Sequence, residues 1–284
     1  MKDDPLVSCA WLAERLDAPD LRIIDATYFM PGAAQNAKAL YLERRVPGAI
    51  FFDIDEIADT DNPLPHMLPS PEKFAARMRD MGIGDGMRIV VYDSQGLFSA
   101  ARVWWTFRVM GHEDVVVLDG GLPAWLGAGL PVEDGTPTLR PQRHFTTQFR
   151  VDLVRDLADM RRAVEAGGVQ VLDARGAGRF RGEAPEPRPG LRSGHMPGAL
   201  NVPYDTLLDA QGLMRSHEEL AASFAAAGVD PGKPAICSCG SGVTAAIIAL
   251  ALARSGRWDA AIYDGSWAEW GSRADTPVAT GAAP

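Results

Sequence analysis

The stretch "ICSCGSGVTAAIIALALARSG", residues 236–256, joins two apolar segments through a turn of small residues. The short run at 234–237 predicts a buried strand, and the longer run at 243–254 predicts an apolar helix. The turn between them therefore lies at the carboxyl end of a strand. Cys239 lies in this turn, so it is either a small packed residue or a nucleophile held among backbone N–H groups.

The turn around Cys239 suits an anionic sulfur. Gly240 and Gly242 can adopt backbone angles that other residues avoid, so that the N–H groups of the turn can point at the sulfur. The positive end of the following helix adds to the same effect, and both favour the nucleophilic thiolate. Cys237 lies inside the predicted strand and is interpreted as buried packing. Cysteine phosphatases close a similar loop with an arginine six residues after the cysteine, but Ala245 stands there, which argues against that activity.

Three motifs recur in the same order, about 150 residues apart, which predicts two copies of one domain. The matching segments are "LRIIDAT" (21–27) with "VQVLDAR" (169–175), "RVPGAIFFDID" (45–55) with "HMPGALNVPYD" (195–205), and "VVVLDGGLPAWLGAGLPV" (115–132) with "AAIYDGSWAEWGSRADTPV" (260–278). We expect a first domain over 1–132, a linker over 133–150 and a second domain over 151–284. The segment at 133–150 has few apolar residues and two prolines, as linkers often do.

Short strands alternate with helical patterns in both copies, which predicts an α/β fold with a central parallel sheet flanked by helices. The predicted strands are 22–25, 88–92, 115–118, 169–172, 234–238 and 260–263. The predicted helices are 72–81, 99–110, 152–166, 216–227 and 243–254. Sites of such sheets lie beyond the carboxyl ends of the strands, which is where Cys239 is expected.

Composition narrows the function classes. The 284 residues carry a net charge of −9, which argues against nucleic-acid binding, and no apolar run is long enough to span a membrane. Three cysteines, including Cys9, are too few for a disulfide framework and lack metal-ligand spacing with histidines. The N-terminus lacks the pattern of a signal peptide. We therefore expect a cytoplasmic protein without a metal, an organic cofactor or a membrane or nucleic-acid partner.

The segments "CGSGVTA" (239–245), "AIYDGSWAEW" (261–270) and "GRFRGEAPEPRPG" (178–190) resemble two-domain rhodanese-type sulfurtransferases, most closely the branch that uses 3-mercaptopyruvate. The resemblance covers nearly the whole chain and implies two tandem rhodanese-like domains, of which only the second has a reactive cysteine. In the first copy Asp93 or Ser94 stands at the equivalent place, so that domain is expected to carry no sulfur.

The resemblance also implies the donor and how it is held. Members of the family that prefer thiosulfate resemble "CRKGVTA", with two cations after the cysteine, whereas this chain has the neutral Gly240 and Ser241. A neutral loop favours a larger, singly charged donor, 3-mercaptopyruvate. The resemblance assigns donor binding to Arg179 and Arg188, since arginine suits a planar carboxylate. The loop residues implied in substrate binding are Gly240, Gly242, Val243 and Thr244, while Arg175 and Arg181 are interpreted as structural or surface residues.

A proton relay is implied by the same resemblance. The family joins a serine of the cysteine loop to a histidine and an aspartate of the first domain, and the matching residues are Ser241, His66 and Asp55. The expected cycle forms a persulfide on Cys239 and passes its sulfur to a thiol or to cyanide, with thioredoxin as a candidate acceptor. Two alternatives stay open: a thiosulfate sulfurtransferase on the same fold, and a persulfide-carrying or redox-sensing binding protein.

Overall fold

The computed structural model describes residues 4–138 and 140–283, and in these residues it has two five-stranded sheets. The first consists of β1 (Leu6–Val7), β2 (Leu21–Asp25), β3 (Ile50–Phe51), β4 (Arg88–Tyr92) and β5 (Val115–Leu118). The second consists of β6 (Val154–Arg155), β7 (Gln170–Asp173), β8 (Leu200–Asn201), β9 (Ala235–Ser238) and β10 (Ala261–Tyr263).

Both sheets have parallel strands and the same topology. The strand order is β1-β5-β4-β2-β3 in the first sheet and β6-β10-β9-β7-β8 in the second. The central strands are almost entirely buried, as parallel strands covered on both faces must be, and this explains their continuous apolar sequences. The duplication read from the sequence is thus also a duplication of topology.

Helices flank both sheets. Those of the first half are α1 (Cys9–Ala13), α2 (Ala37–Glu43), α3 (Pro71–Asp80), α4 (Ala100–Val109) and α5 (Gly121–Gly127). Those of the second half are α6 (Leu157–Ala166), α7 (Ala177–Arg181), α8 (His217–Ala226), α9 (Ala245–Arg254) and α10 (Ser266–Trp270). In the part of the chain that the structure describes, no helix combines the length and the apolar character needed to cross a bilayer.

The two halves meet through α4 and α9, which pack against each other. Every residue of α4 is buried, and so is every residue of α9 except Arg254. Helices buried on all sides need cover on all sides, and here each helix is covered by its own sheet and by the other helix. Trp104 and Trp105 on α4 share one core with Ile247 and Ile248 on α9.

The segment between the two sheets lies against the first half. Phe145 is buried in the core with Phe74 and Phe107, and the Gln148 N–H donates to the carbonyl of Met110 at 2.8 Å. Residues 140–150 form neither helix nor strand. Their sequence is polar because the segment runs along the surface, with Phe145 as its one buried residue.

The central strands and five main helices were predicted within two residues at most of their ends, with one exception. The helix predicted at 152–166 begins only at Leu157. Val151–Leu153 is a 3₁₀ turn, and Val154–Arg155 is the edge strand β6, paired with β10. The Asp156 side chain then caps α6 through a capping box with Asp159, which fixes the start of the helix there.

Candidate active site

Cys239 directly follows β9 and begins the cysteine loop, residues 239–244, which leads into α9. The residue is 2% exposed. Its N–H donates to the Ser266 hydroxyl at 3.3 Å, and its carbonyl accepts from the Trp267 N–H at 2.9 Å. These contacts with the start of α10 fix the backbone of Cys239.

The N–H groups of residues 240–245 have no acceptor within the described part of the chain. Six unpaired donors in one turn are unusual, because buried N–H groups are nearly always bonded. Val243 is buried, and Thr244 is the residue from which α9 starts. The cysteine loop is therefore a ready-made cradle for an anion attached to, or lying beside, the Cys239 sulfur.

The two glycines of the cysteine loop act differently, which corrects the expectation that both use unusual backbone angles. Gly242 has a left-handed φ of 79°, and a Cβ there would lie 2.7 Å from Nη1 of Arg102. Gly240 lies outside the left-handed region. It is useful for its lack of a side chain, because a Cβ there would lie 3.0 Å from Nη2 of Arg179.

Arg102, on α4 of the first half, ties the cysteine loop to the other half of the molecule. Its Nη2 donates to the His66 carbonyl at 2.5 Å and to Oδ1 of Asp264 at 2.6 Å, and its Nη1 donates to the Gly242 carbonyl at 3.3 Å. The other oxygen of Asp264 accepts from the Leu68 N–H at 2.8 Å. Because Arg102 and Asp264 are both buried, this ion pair fixes the loop around His66 against the cysteine loop.

The structure brings His66 and Asp55 together. Oδ1 of Asp55 lies 2.9 Å from Nδ1 of His66, and this contact lowers the pKa of the Asp55 carboxyl despite partial burial. Nε2 of His66 lies 3.2 Å from Nη2 of Arg188. A guanidinium can only donate, so Nε2 accepts, which assigns the proton of a neutral His66 to Nδ1. This nitrogen is close to Asp55 but not in hydrogen-bond geometry with it.

Ser241 is buried in the cysteine loop. Among the described residues its hydroxyl makes no hydrogen bond to His66, whose Nε2 contacts Arg188 instead. The sequence-based relay is therefore present as one contact, between His66 and Asp55, and lacks the second.

Arg179 faces Gly240 and is held by Glu186. Its Nη2 donates to Oε2 of Glu186 at 2.5 Å, and the carboxylate is almost fully buried. Glu186 also pairs with Arg175 at 2.7 Å, and Arg175 in turn pairs with Asp173 and stacks over a tryptophan ring. Arg179 keeps a quarter of its side chain exposed, so it is fixed in direction and yet accessible to an anion. Arg175 is deeply buried in this network, whereas Arg181 lies at the surface.

The other two cysteines lie in different surroundings. Cys237 is fully buried in β9, and this burial raises the pKa of its thiol. Cys9 is half-buried at the start of α1, and burial together with the charge of Asp119 raises the pKa of its thiol as well. Neither thiol lies in a loop of unpaired N–H groups, so the geometry favours Cys239 as the nucleophile.

Sequence reasoning missed Arg102 and Glu186. A signal for Arg102 exists, because the two arginines inside the otherwise apolar run "RVWWTFRVM" (102–110) need buried partners. Glu186 lies among several charged residues in a loop rich in proline and glycine, and no pattern separates it from its neighbours. Its importance depends on which arginine it contacts, and only the structure shows that.

A cysteine in a loop of free N–H groups, at a strand end and facing a fixed arginine, defines a thiol-based group-transfer site on a duplicated α/β fold. Residues 8–128 and 156–273 match the family model described as Rhodanese-like domain. The 3-mercaptopyruvate sulfurtransferase of Escherichia coli (strain K12) is 46% identical over 273 residues, 96% of either chain. The Thiosulfate/3-mercaptopyruvate sulfurtransferase 1, mitochondrial, of Arabidopsis thaliana is 43% identical over 296 residues, 97% of this chain and 78% of that one.

A solved structure agrees with these sequence relationships. The crystal structure of SseA from Escherichia coli, a 3-mercaptopyruvate sulfotransferase, matches with a TM-score of 0.86 at 43% identity, over 93% of this chain and 99% of that one. The chain belongs to the rhodanese family, with one rhodanese-like domain in each half. The predicted fold class, two tandem rhodanese-like domains with parallel sheets flanked by helices, is confirmed.

Proposed function

We propose that the protein is a sulfurtransferase that takes sulfur from 3-mercaptopyruvate and carries it as a persulfide on Cys239. The observation that supports this most is the cysteine loop with its unpaired N–H groups, which is neutral at Gly240 and Ser241 and faced by Arg179. Relatives named 3-mercaptopyruvate sulfurtransferase, similar over nearly the whole chain, support the same donor. Membership of the family implies a small-molecule sulfur donor and a sulfur acceptor.

The first half-reaction is a displacement at sulfur. The Cys239 thiolate attacks the thiol sulfur of the donor; an S–S bond forms as the donor's C–S bond breaks. The electron pair of that bond leaves on the three-carbon fragment as the enolate of pyruvate, which takes one proton at its methylene carbon to become pyruvate. The N–H groups of the cysteine loop stabilise the charged sulfur, and Arg179 and Arg188 hold the carboxylate of the donor.

The proton comes through Ser241 and His66, and Asp55 supports the imidazole. When the donor carboxylate draws Arg188 away, Nε2 of His66 becomes free to exchange a proton with the Ser241 hydroxyl. Asp55 stays ionised because its pKa is lowered, and it stabilises the imidazolium.

In the second half-reaction an acceptor thiolate attacks the outer sulfur of the persulfide and the Cys239 thiolate leaves, which completes a two-stage cycle. Cyanide accepts the same sulfur as thiocyanate. A protein dithiol of the thioredoxin type is also a suitable acceptor, because its second thiol can release the sulfur as sulfide. We place the enzyme in the cytoplasm, where thiols stay reduced.

A thiosulfate sulfurtransferase is the second candidate, because the relative from Arabidopsis thaliana carries both donors in its name. One experiment separates the two: kcat/KM is measured for both donors with cyanide as acceptor, following pyruvate or sulfite. We expect 3-mercaptopyruvate to be preferred by at least roughly ten-fold, because the loop offers no extra cation to a dianion. A preference for thiosulfate would contradict the proposed donor, and no turnover with either would favour a persulfide-carrying or redox-sensing protein.

A further inference from the structure

Tyr28 is a buried residue of the first half that faces the site and that the mechanism above leaves unused. It lies three residues beyond the end of β2, at the carboxyl edge of the first sheet, and is 7% exposed. Within the described residues its hydroxyl has no hydrogen-bond partner. Its ring packs edge-on against the ring of His66, with the centroids 4.9 Å apart and the planes at 79°.

The surroundings of the Tyr28 hydroxyl are those of the donor site. Burial raises its pKa, and the charges of Asp55 and Cys239 add to the rise. The charge and close approach of the Arg188 guanidinium oppose it, although the contact does not have the geometry of a hydrogen bond. The hydroxyl is thus close enough to Arg188 and Cys239 to feel both charges. It remains protonated at neutral pH and can donate a hydrogen bond.

An unpaired buried hydroxyl destabilises a folded protein, because it gives up water and gains nothing in return. Tyr41 shows the ordinary solution, since its buried hydroxyl donates to the Ala49 carbonyl at 2.8 Å. Tyr28 has a comparable burial without that partner. An acceptor atom of a bound ligand can supply the missing hydrogen-bond partner of the Tyr28 hydroxyl.

We propose that the Tyr28 hydroxyl binds the keto oxygen of the donor and is a further substrate-contacting residue; this rests on the function proposed above. The keto carbon is bonded directly to the carboxylate that Arg188 helps to hold, so a hydroxyl beside Arg188 is within reach of the keto oxygen. As the C–S bond breaks, its electron pair is delocalised onto this oxygen in the enolate. The hydrogen bond therefore strengthens towards the transition state and speeds the first half-reaction.

The test compares Tyr28→Phe with Tyr41→Phe as a matched control. Tyr28→Phe keeps the ring on His66 and removes only the hydroxyl. Single-turnover formation of the persulfide from 3-mercaptopyruvate is followed as pyruvate release. The preloaded, desalted enzyme then gives the rate of sulfur transfer to cyanide, and a melting curve gives Tm.

For Tyr28→Phe we expect persulfide formation to slow roughly ten-fold, transfer to cyanide to stay within about two-fold, and Tm to stay equal or rise. For Tyr41→Phe we expect a lower Tm with both half-reactions unchanged. Equal slowing of both half-reactions, no slowing at all, or a lower Tm in Tyr28→Phe would overturn the proposal. Failure of the unsubstituted enzyme to release pyruvate would overturn the proposed function first, and is seen before any substitution is made.

Discussion

The two halves of the molecule build the same loop and fill it differently. The last paired residues of the matching central strands are Asp25 with Tyr92 in the first sheet and Asp173 with Ser238 in the second. Asp93 and Cys239 therefore occupy the same position, each directly after its strand and before an apolar helix. Of the two residues considered from the sequence, Asp93 and not Ser94 is the counterpart of the cysteine.

In the aspartate loop, residues 93–99, the Asp93 carboxylate itself accepts the hydrogen bonds of the backbone N–H groups. Oδ2 of Asp93 accepts the N–H groups of Phe98, Ser99 and Ala100 at 2.8 Å each, and Oδ1 accepts that of Gln95 at 2.9 Å. In the cysteine loop the Cys239 N–H donates to Ser266, whereas the N–H groups of residues 240–244 have no partner among the described residues. The aspartate loop thus binds its own carboxylate and is structural. The cysteine loop is free to bind an anionic sulfur or a substrate anion. A single side chain decides between the two roles.

The largest expected effect is on stability, in the first half. Asp93→Ala removes one buried acceptor and leaves four N–H groups without a partner, so we expect the free energy of unfolding to fall by about 3 kcal/mol or more. Cys239→Ala removes a small thiol that no N–H depends on and should cost about 1 kcal/mol. Urea unfolding of both variants measures the difference. Equal costs would show that the two loops are not divided into a structural and a reactive one.

A smaller effect, on catalysis, is expected at Arg179 beside the cysteine loop. Arg179→Ala removes the cation that faces Gly240. We expect kcat/KM with 3-mercaptopyruvate to fall roughly 30-fold, which corresponds to a loss of about 2 kcal/mol of transition-state stabilisation. Glu186 keeps its second partner, Arg175, so the fold should be little affected. Arg181→Ala, at an exposed pair with Glu183, is the matched control and should leave the kinetics unchanged. Similar kinetics for both variants would reduce Arg179 to a surface charge.

The sequence predicted the central strands and the long helices because their apolar patterns are strong and continuous. It did not predict β1, β3, β6 and β8, each only two residues long. So short a strand has no readable period, and it exists only because a longer neighbour offers a free edge. The late start of α6 has the same cause, since Val154–Arg155 pairs with β10 instead of joining the helix.

The candidate site was predictable where one segment carries it and less so where segments meet. The cysteine and its glycines follow from a strand-to-helix turn, and Arg179, Arg188, His66 and Asp55 were placed by family resemblance alone. That Arg102 from α4 reaches the Gly242 carbonyl depends on how two helices far apart in sequence pack. Local propensity contains no information on such contacts.

The most direct test of the difference between the two loops is the position of the transferred sulfur. The protein is treated with 3-mercaptopyruvate in the absence of an acceptor and digested without reductant. The masses of its cysteine-containing peptides are then measured by mass spectrometry. We predict one added sulfur, about 32 Da, on Cys239 and none on Cys9 or Cys237, and no addition in Cys239→Ser, which should fold normally and lack sulfur transfer. Sulfur on Cys9 or Cys237, or turnover by Cys239→Ser, would contradict the assignment of the open cradle as the reactive one.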